Sequence, residues 1–325
     1  EIKFMSEQNF IHIVCSVLFF LFTFSYLFFF QADVMTVIQH LASGGQTFYN
    51  PLLGAILITI VLKLLQIGVS SLIRLTKRGY ALTYFPSFLF LTIISDLKPA
   101  SQGVSLGNWI WISPILFVIY FFVIISVKRY EPYELESRSI GPFSQQVWSS
   151  LLIMLGLFLF TGLFSNTDKH FHQRAKVESM IDKRNYVGAL HVIKTVSNTD
   201  SVMSMLTIYA VARCHQLSDS LFCYPLIGGS DVLRPGKIHS WLQPDSILQK
   251  STRNSANYQL VGFLLDRNLH DFARYLVRYY PIDTIRPRYY REAYQIYLLH
   301  KKGLKPKGPY AVGSYAAYYF RQYAK

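Results

Sequence analysis

Charge is scarce in this chain: Asp, Glu, Lys and Arg make up 15% of its 325 residues, where an ordinary soluble domain carries about 25%. Acids are the scarcer sign, 18 against 32 basic residues, for a formal net charge of +14. Cysteine is nearly missing as well, with three in the whole chain. Cys15 lies in an apolar run. Cys214 and Cys223 could form one disulfide if the compartment oxidises and their Cα atoms come within about 7 Å; buried free thiols fit the sequence equally well. A Gly-rich phosphate loop and a His-Glu-x-x-His zinc helix are both absent, which leaves P-loop and zincin chemistry without sequence support. No cofactor fingerprint, metal cluster or nucleophile arrangement stands out, and no cofactor is expected. Catalysis assembled from scattered residues stays open.

What the chain does have is long apolar runs, crowded into its first half: Phe10 to Phe30, Leu52 to Ile73, Tyr80 to Leu97, Trp109 to Val127 and Val147 to Phe164. Each is about 18 to 22 residues, the length an α-helix needs to cross a hydrocarbon core of about 30 Å. The third is interrupted by Pro86 and crowded at its end by Asp96 and Lys98, and is still read as spanning. The first has an apolar core of about 20 residues, longer than a signal peptide's 7 to 15, so it is read as a retained helix.

Orientation follows from the cations of the short loops, because Lys and Arg resist translocation. With the N-terminus inside, the inner segments hold Lys3, Arg74, Lys77, Arg78, Lys128, Arg129 and Arg138, whereas the outer loops hold only Lys98. Five crossings then put everything after Phe164 outside the cytoplasm. That exported part is the basic one: from Asn166 onward 23 Lys and Arg stand against 11 Asp and Glu. Such a surface suits anionic headgroups, acidic glycans or an acidic partner protein, or it merely keeps a helical domain soluble.

The second half shows a helical period, with candidate helices at Asp168 to Asp182, Val187 to Val196, Val202 to Leu217, Asn254 to Asp266, His270 to Tyr280, Pro287 to Lys302 and Val312 to Tyr323. Ser218 to Lys250 reads as a long excursion between helices. A faint internal repeat relates Ser179–Lys194 to Phe263–Arg278. Both place an acid and an Asn at a turn, Asp182 with Asn185 and Asp266 with Asn268, then a small Ala, Ala189 or Ala273, at a helix crossing. The chain is therefore expected to be all-α: five transmembrane helices in residues 1–165, then an extracytoplasmic helical-repeat domain of tetratricopeptide-like kind in residues 166–325.

The segments Tyr26 to Asp33, Gln39 to Asn50 and Leu52 to Leu62 resemble a Bacteroidota family of uncharacterised multi-pass membrane proteins. The similarity extends to Asp182 to Leu190 and Phe263 to Ala273, which look like that family's tetratricopeptide-like C-terminal helices. The resemblance implies a multi-pass protein of a Gram-negative inner membrane, with a periplasmic helical domain. It carries no activity across.

Several residues are candidates for function. Lys63 falls near the middle of the second run with Gln66 one turn on, and a charge at that depth costs at least about 2.5 kcal/mol unless paired or hydrated. His12 and Asp96 are its candidate partners in a transport or relay site; snorkelling or a structural tie between helices explains Lys63 equally. The loop Gln39 to Asn50 carries His40 and two glycines that make a turn or admit a ligand; a lipid-linked glycosyltransferase would show paired acids in this region, and the presence of Asp33 alone argues against that class. The tail from Tyr279 to Tyr323 interleaves eleven Tyr with Arg residues. Arg286, Arg288, Tyr289, Tyr290, Arg291 and Tyr294 are its candidate partner-binding residues, since Tyr and Arg carry interfaces; helical spacing assigns half or more of these Tyr to a core or a membrane interface. His170 and His172 approach one another only in an extended segment. The reading favoured by the sequence is a membrane-anchored scaffold or accessory subunit of an envelope complex, its partners the lipid bilayer and a protein and not nucleic acid. A transporter or channel subunit using Lys63, and a membrane enzyme acting on lipid or glycan, are the alternatives.

Overall fold

The computed structural model describes residues 2–75, 79–100, 103–130, 145–234, 236–244, 255–281, 284–304 and 309–320, and the side chains of all but residues 2–8 among them. Lys77, Arg78, Arg138, Arg321 and Tyr323 lie outside the described residues. The chain divides into two compact units, Glu1–Asp168 and Lys169–Lys325. Fourteen α-helices and one two-stranded hairpin are found among the described residues.

The first unit contains α1 (Ile2–Ser25, continued by a π turn over Tyr26–Phe30), α2 (Ala32–Ala42), α3 (Pro51–Ile73), α4 (Phe85–Ser95), the antiparallel strands β1 (Lys98–Ala100) and β2 (Gly103–Ser105), α5 (Trp109–Tyr130) and α6 (Gln145–Phe164). Local chemistry sets the ends of α3. Asn50 accepts from the N–H groups of Leu52 and Leu53, Pro51 opens the first turn, and Arg74 closes the last in a left-handed conformation. At Gly54 any Cβ would sit 2.1 Å from the Tyr49 ring, so only glycine lets that ring fold back over the helix start.

The pattern of burial is inverted relative to a water-soluble bundle. Helix α1 buries Ile11, Cys15, Phe19, Thr23 and Leu27, one residue every fourth position along a single stripe. Helix α3 buries Ala55, Thr59, Leu62 and Gln66, and α6 buries Ser150, Met154, Leu157 and Thr161. Small and polar residues face inward while Ile13, Leu21, Leu57, Val61, Leu152 and Leu163 are more than half exposed. In water this outward surface would aggregate; in lipid it is solvated, and small or hydroxyl residues let helices pack closely. Asn9–Phe30, α3, α5 and α6 are long and apolar enough to cross a membrane.

The expected third crossing is different. Tyr80–Tyr84 forms a 3₁₀ turn, Pro86 occupies the first turn of α4, and the combined element falls short of 18 residues. Proline cannot donate within a helix interior, so α-geometry begins only there. By rise per residue the element is about 26 Å long. It is also the most enclosed: Phe88 packs against Phe19 and Phe22 of α1 and Phe158 of α6, Phe85 against Tyr120 of α5, and Ser87 Oγ donates to Leu62 O of α3 at 2.8 Å. The segment after it, expected to be a plain loop, forms the β1–β2 hairpin, which packs on α2.

The second unit is built from helical hairpins: α7 (Lys169–Asp182) with α8 (Tyr186–Lys194), α9 (Ser201–Arg213) with the short α10 (Leu217–Ser220), α11 (Ala256–Leu265) with α12 (Leu269–Tyr279), and α13 (Arg288–Lys301) with α14 (Tyr315–Phe320). One turn recurs in all four. A residue with φ near +60° or somewhat above closes the first helix: Arg184, His215, Arg267 and Gly303. The next N–H then reaches back five residues: Asn185 to Met180 O at 2.8 Å, Gln216 to Val211 O at 3.1 Å, Asn268 to Phe263 O at 2.9 Å and Leu304 to Leu299 O at 2.9 Å. This is the Schellman closure. In two copies the Asn then caps the following helix, Asn185 accepting from Gly188 N and Asn268 from Asp271 N. One hydrophobic core runs through these hairpins, from Val177 to Tyr315.

Candidate functional site

Three elements converge on Lys63. From α3 come Lys63 and Gln66, one turn apart; α1 supplies Ser16; the 3₁₀ turn supplies Tyr80, Thr83 and Tyr84. The ammonium donates to Gln66 Oε1 at 2.7 Å, Ser16 Oγ at 2.8 Å and the Tyr84 hydroxyl at 2.9 Å. Three donors meet three neutral oxygens. Gln66 Nε2 in turn donates to Thr83 Oγ1 at 2.9 Å, and His12 stacks on Tyr80 with ring centroids 3.8 Å apart. Each hydrogen bond to a charged group is worth about 1.5–3 kcal/mol, so the set offsets an insertion penalty of about 2.5–3.5 kcal/mol. Among the described residues Lys63 has no carboxylate partner, and His12 Nε2 is buried without a hydrogen-bond partner.

The candidate set is therefore split. Lys63, Gln66 and His12 belong to one cluster. Asp96 does not: it caps the far end of α4, where its carboxylate accepts from Trp109 Nε1 at 2.8 Å. Sequence distance gave no warning, because α4 carries Asp96 away from the Tyr80 end. Ser16, Thr83 and Tyr84 were missed, being single hydroxyls in apolar runs. In the α2–α3 loop Gly44 and Gly45 both have positive φ, and the His40 ring lies against Gly45 and Phe48; the glycines make the turn.

One nucleophile pattern was missed in the sequence. Gly103-Val-Ser-Leu-Gly107 has the Gly-x-Ser-x-Gly spacing, but that chemistry needs the Ser on a strained strand-to-helix elbow. Ser105 instead lies within β2, and its Oγ accepts from Gly107 N at 3.1 Å. It shapes a turn.

In the second unit the tail residues correct the expectation of an interface. Tyr289 and Tyr290 are fully buried. The Tyr289 hydroxyl donates to Gly313 O at 3.0 Å and that of Tyr290 to Asn257 Oδ1 at 3.1 Å, and burial pushes the pKa of both, and of Tyr315, well above the ordinary tyrosine range. They are pegs of the core. Arg288 pairs with Glu292 at 2.9 Å, Arg286 lies over the Tyr294 ring at 4.9 Å, and Arg291 is exposed. Cys214 and Cys223 are free thiols, not a disulfide. His170 and His172 stand on α7, where helical geometry turns them apart.

The acids of this unit are spent internally. Glu178, completely buried on α7, accepts from Ser240 Oγ, from the N–H groups of Trp241 and Leu242, and from Arg174 Nε at 3.4 Å. It pins part of the segment that the sequence left as an excursion. Asp182 takes Gln243 Nε2, Asp200 the N–H of Met203, Asp219 that of Arg288, Asp266 that of Ser230, and Glu292 that of Tyr315. Asp231 holds Lys237 at 3.0 Å and Asp271 holds Asn268 Nδ2 at 2.7 Å. Every described carboxylate here has a partner, while Arg184, Lys194, Arg213, Arg274, Arg278 and Arg291 are exposed.

No protein-family model, no curated protein and no solved structure matches this chain. The geometry of the two units is therefore what bears on function.

Proposed function

We propose that this protein is a membrane-anchored scaffold or accessory subunit of a cell-envelope complex, binding an acidic protein partner through its helical-hairpin unit. The observation that carries the reading is that exposed cations, Arg184, Lys194, Arg213, Arg274, Arg278 and Arg291, stand on a stack of hairpins, an architecture suited to extended binding faces. The tetratricopeptide-like description belongs to this proposal and draws support from the repeated Schellman turn. So does a fifth crossing by Tyr80–Ser95, which places the helical unit in the periplasm of a Gram-negative inner membrane. Two contacts favour that crossing: a Cβ on Gly79 would lie 2.8 Å from Val127 at the end of α5, whereas Gly103, just past α4, approaches Leu41 O of α2. The short element thus runs between opposite ends of its unit. Purification from native membranes in mild detergent at low salt, with mass spectrometry, tests the function. A stoichiometric partner released by moderate salt is the expected result; a well-folded protein that elutes alone overturns it.

A second reading, a carrier built around Lys63, is favoured by one observation: an intramembrane ammonium with no carboxylate partner among the described residues. Lys63→Met is its test. Full cellular function in that variant removes the carrier reading.

A further inference from the structure

Helix α7 carries a row of cations along one face. Lys169, Lys176 and Lys183 stand seven residues apart, and seven residues of α-helix bring a side chain back to within about 20° of its starting direction. The row runs the whole helix: Lys183 lies one residue past its end, yet its N–H still donates to Ser179 O at 3.1 Å. All three lysines are exposed, and none makes an ion pair or side-chain hydrogen bond with another described residue. Half-buried Gln173 and Met180 fill the positions between them. The core side is distinct, with Ala175, Val177, Glu178, Ser179 and Ile181 buried. Both acids of α7 belong to other faces. Glu178 is taken up by Arg174 and the Ser240–Leu242 segment, and Asp182 accepts from Gln243 Nε2 at 3.2 Å.

The place of this row in the chain says what lies within its reach. Helix α6 ends at Phe164 and α7 begins at Lys169; a fully extended connection of that length reaches at most about 18 Å. Since α6 is long and apolar enough to cross a membrane, the first lysine is tethered close to the bilayer surface at which that crossing ends. At about 1.5 Å rise per residue the three lysines cover about 21 Å, so a helix lying flat brings all three to the headgroups together. Attraction acts over only a Debye length, about 8 Å at physiological salt, and each Lys near an anionic surface strengthens attachment about fivefold. The tether makes the encounter intramolecular, and three such weak contacts then suffice.

We propose that the lysine face of α7 docks on the headgroups of anionic phospholipids. The face is distinct from the exposed cations assigned to a protein partner, and the proposal depends neither on that reading nor on the side of the membrane. The full-length protein, in nanodiscs of phosphatidylcholine alone or with one lipid in three replaced by phosphatidylglycerol, is acetylated with neutral N-hydroxysuccinimide acetate and read site by site by mass spectrometry. Phosphatidylglycerol is expected to slow acetylation of Lys169, Lys176 and Lys183 about threefold or more and to leave Lys301 and Lys302, exposed at the end of α13, unchanged. The effect should vanish in about 1 M salt, where the Debye length is about 3 Å. In the double variant Lys176→Gln, Lys183→Gln, which alters exposed side chains only, protection of Lys169 should shrink. Rates that phosphatidylglycerol does not alter, that fall equally at Lys301 and Lys302, or that stay low in salt overturn the assignment. So does protection confined to Lys169, which the tether alone explains. Protection found in native membranes but missing from the nanodiscs gives the face to a protein and overturns it equally.

Discussion

At the scale of single residues the decisive question is which partner of a buried polar pair cannot be lost. Lys63→Met removes the charge together with its solvation demand, and the Ser16 and Tyr84 hydroxyls it leaves are already 3.1 Å apart and can bond each other. Gln66→Leu is worse: it takes an acceptor from the ammonium and the donor from Thr83, leaving a charge with two oxygens for three protons. Gln66→Leu should lower stability in detergent by about 2–3 kcal/mol and Lys63→Met by about 1 kcal/mol or less. Thermal unfolding of the two variants decides, and the reverse order would mean that the charge itself holds the bundle. The tyrosines of the second unit give a pH dependence. Burial raises the pKa values of Tyr289, Tyr290 and Tyr315 above the ordinary value of 10.0, so above pH 10 the unfolded chain releases protons that the folded unit retains. Stability from this source is complete below pH 10 and falls as pH rises beyond it, by up to about 1.4 kcal/mol per pH unit for each tyrosine. Near-ultraviolet circular dichroism between pH 9 and 12 should show cooperative loss of the aromatic signal, displaced to higher pH in Tyr290→Phe.

Among the elements, the left-handed turn residues carry a measurable strain. Arg184 holds φ at +58°, a conformation that costs an L-residue about 1–2 kcal/mol, and its side chain is exposed. A cation at a helix C-terminus recovers about 0.3–1 kcal/mol from the dipole. Arg184→Gly should therefore stabilise the second unit by roughly 0.5–1 kcal/mol net of the extra chain entropy of glycine, read from urea unfolding, whereas Asn185→Ala should destabilise it by about 1 kcal/mol through loss of the cap on Gly188 N. An unchanged Arg184→Gly protein would show that the arginine makes a compensating contact. The same turns show what was legible in the sequence. Asp182 with Asn185 and Asp266 with Asn268 announced two of the hairpins because each Asn side chain caps the helix that follows the turn. The copy at His215–Gln216 carries no such mark, and the one at Gly303 lacks the capping Asn. Helix positions in the second half followed from the apolar period, apart from α10, too short to show one, and Val312 to Tyr323, whose helix starts only at Tyr315 and is described only to Phe320. The β1–β2 hairpin was invisible because three-residue strands have no period to read.

For the molecule as a whole, four of the five apolar runs form helices long and apolar enough to cross a membrane, because length and composition alone decide whether a helix suits a bilayer. Hydropathy could not read how the third run is built, since Pro86 divides it into a 3₁₀ turn and a short α-helix enclosed on several sides by its neighbours. Site residues were legible only where local spacing brings them together, as with Lys63 and Gln66. Tertiary packing decided the rest, sending Asp96 to the opposite end of α4 and Tyr289 and Tyr290 into the core. The parity of crossings has a single large consequence, the side of the membrane on which the hairpin unit sits. Cys223 is exposed in that unit and Cys15 is buried within the first span, so thiol labelling separates the two topologies. With five crossings, a membrane-impermeant maleimide applied to cells with a permeabilised outer envelope should label Cys223 while the inner membrane is intact, and Cys223→Ser should remove most of the signal. With four crossings the unit shares the side of the N-terminus, and labelling begins only once the inner membrane is breached. The loop cations argue for the first outcome: in the four-crossing arrangement Lys128, Arg129 and Arg138 would have to be translocated, which weakens the excess of inner loop cations from seven against one to five against three.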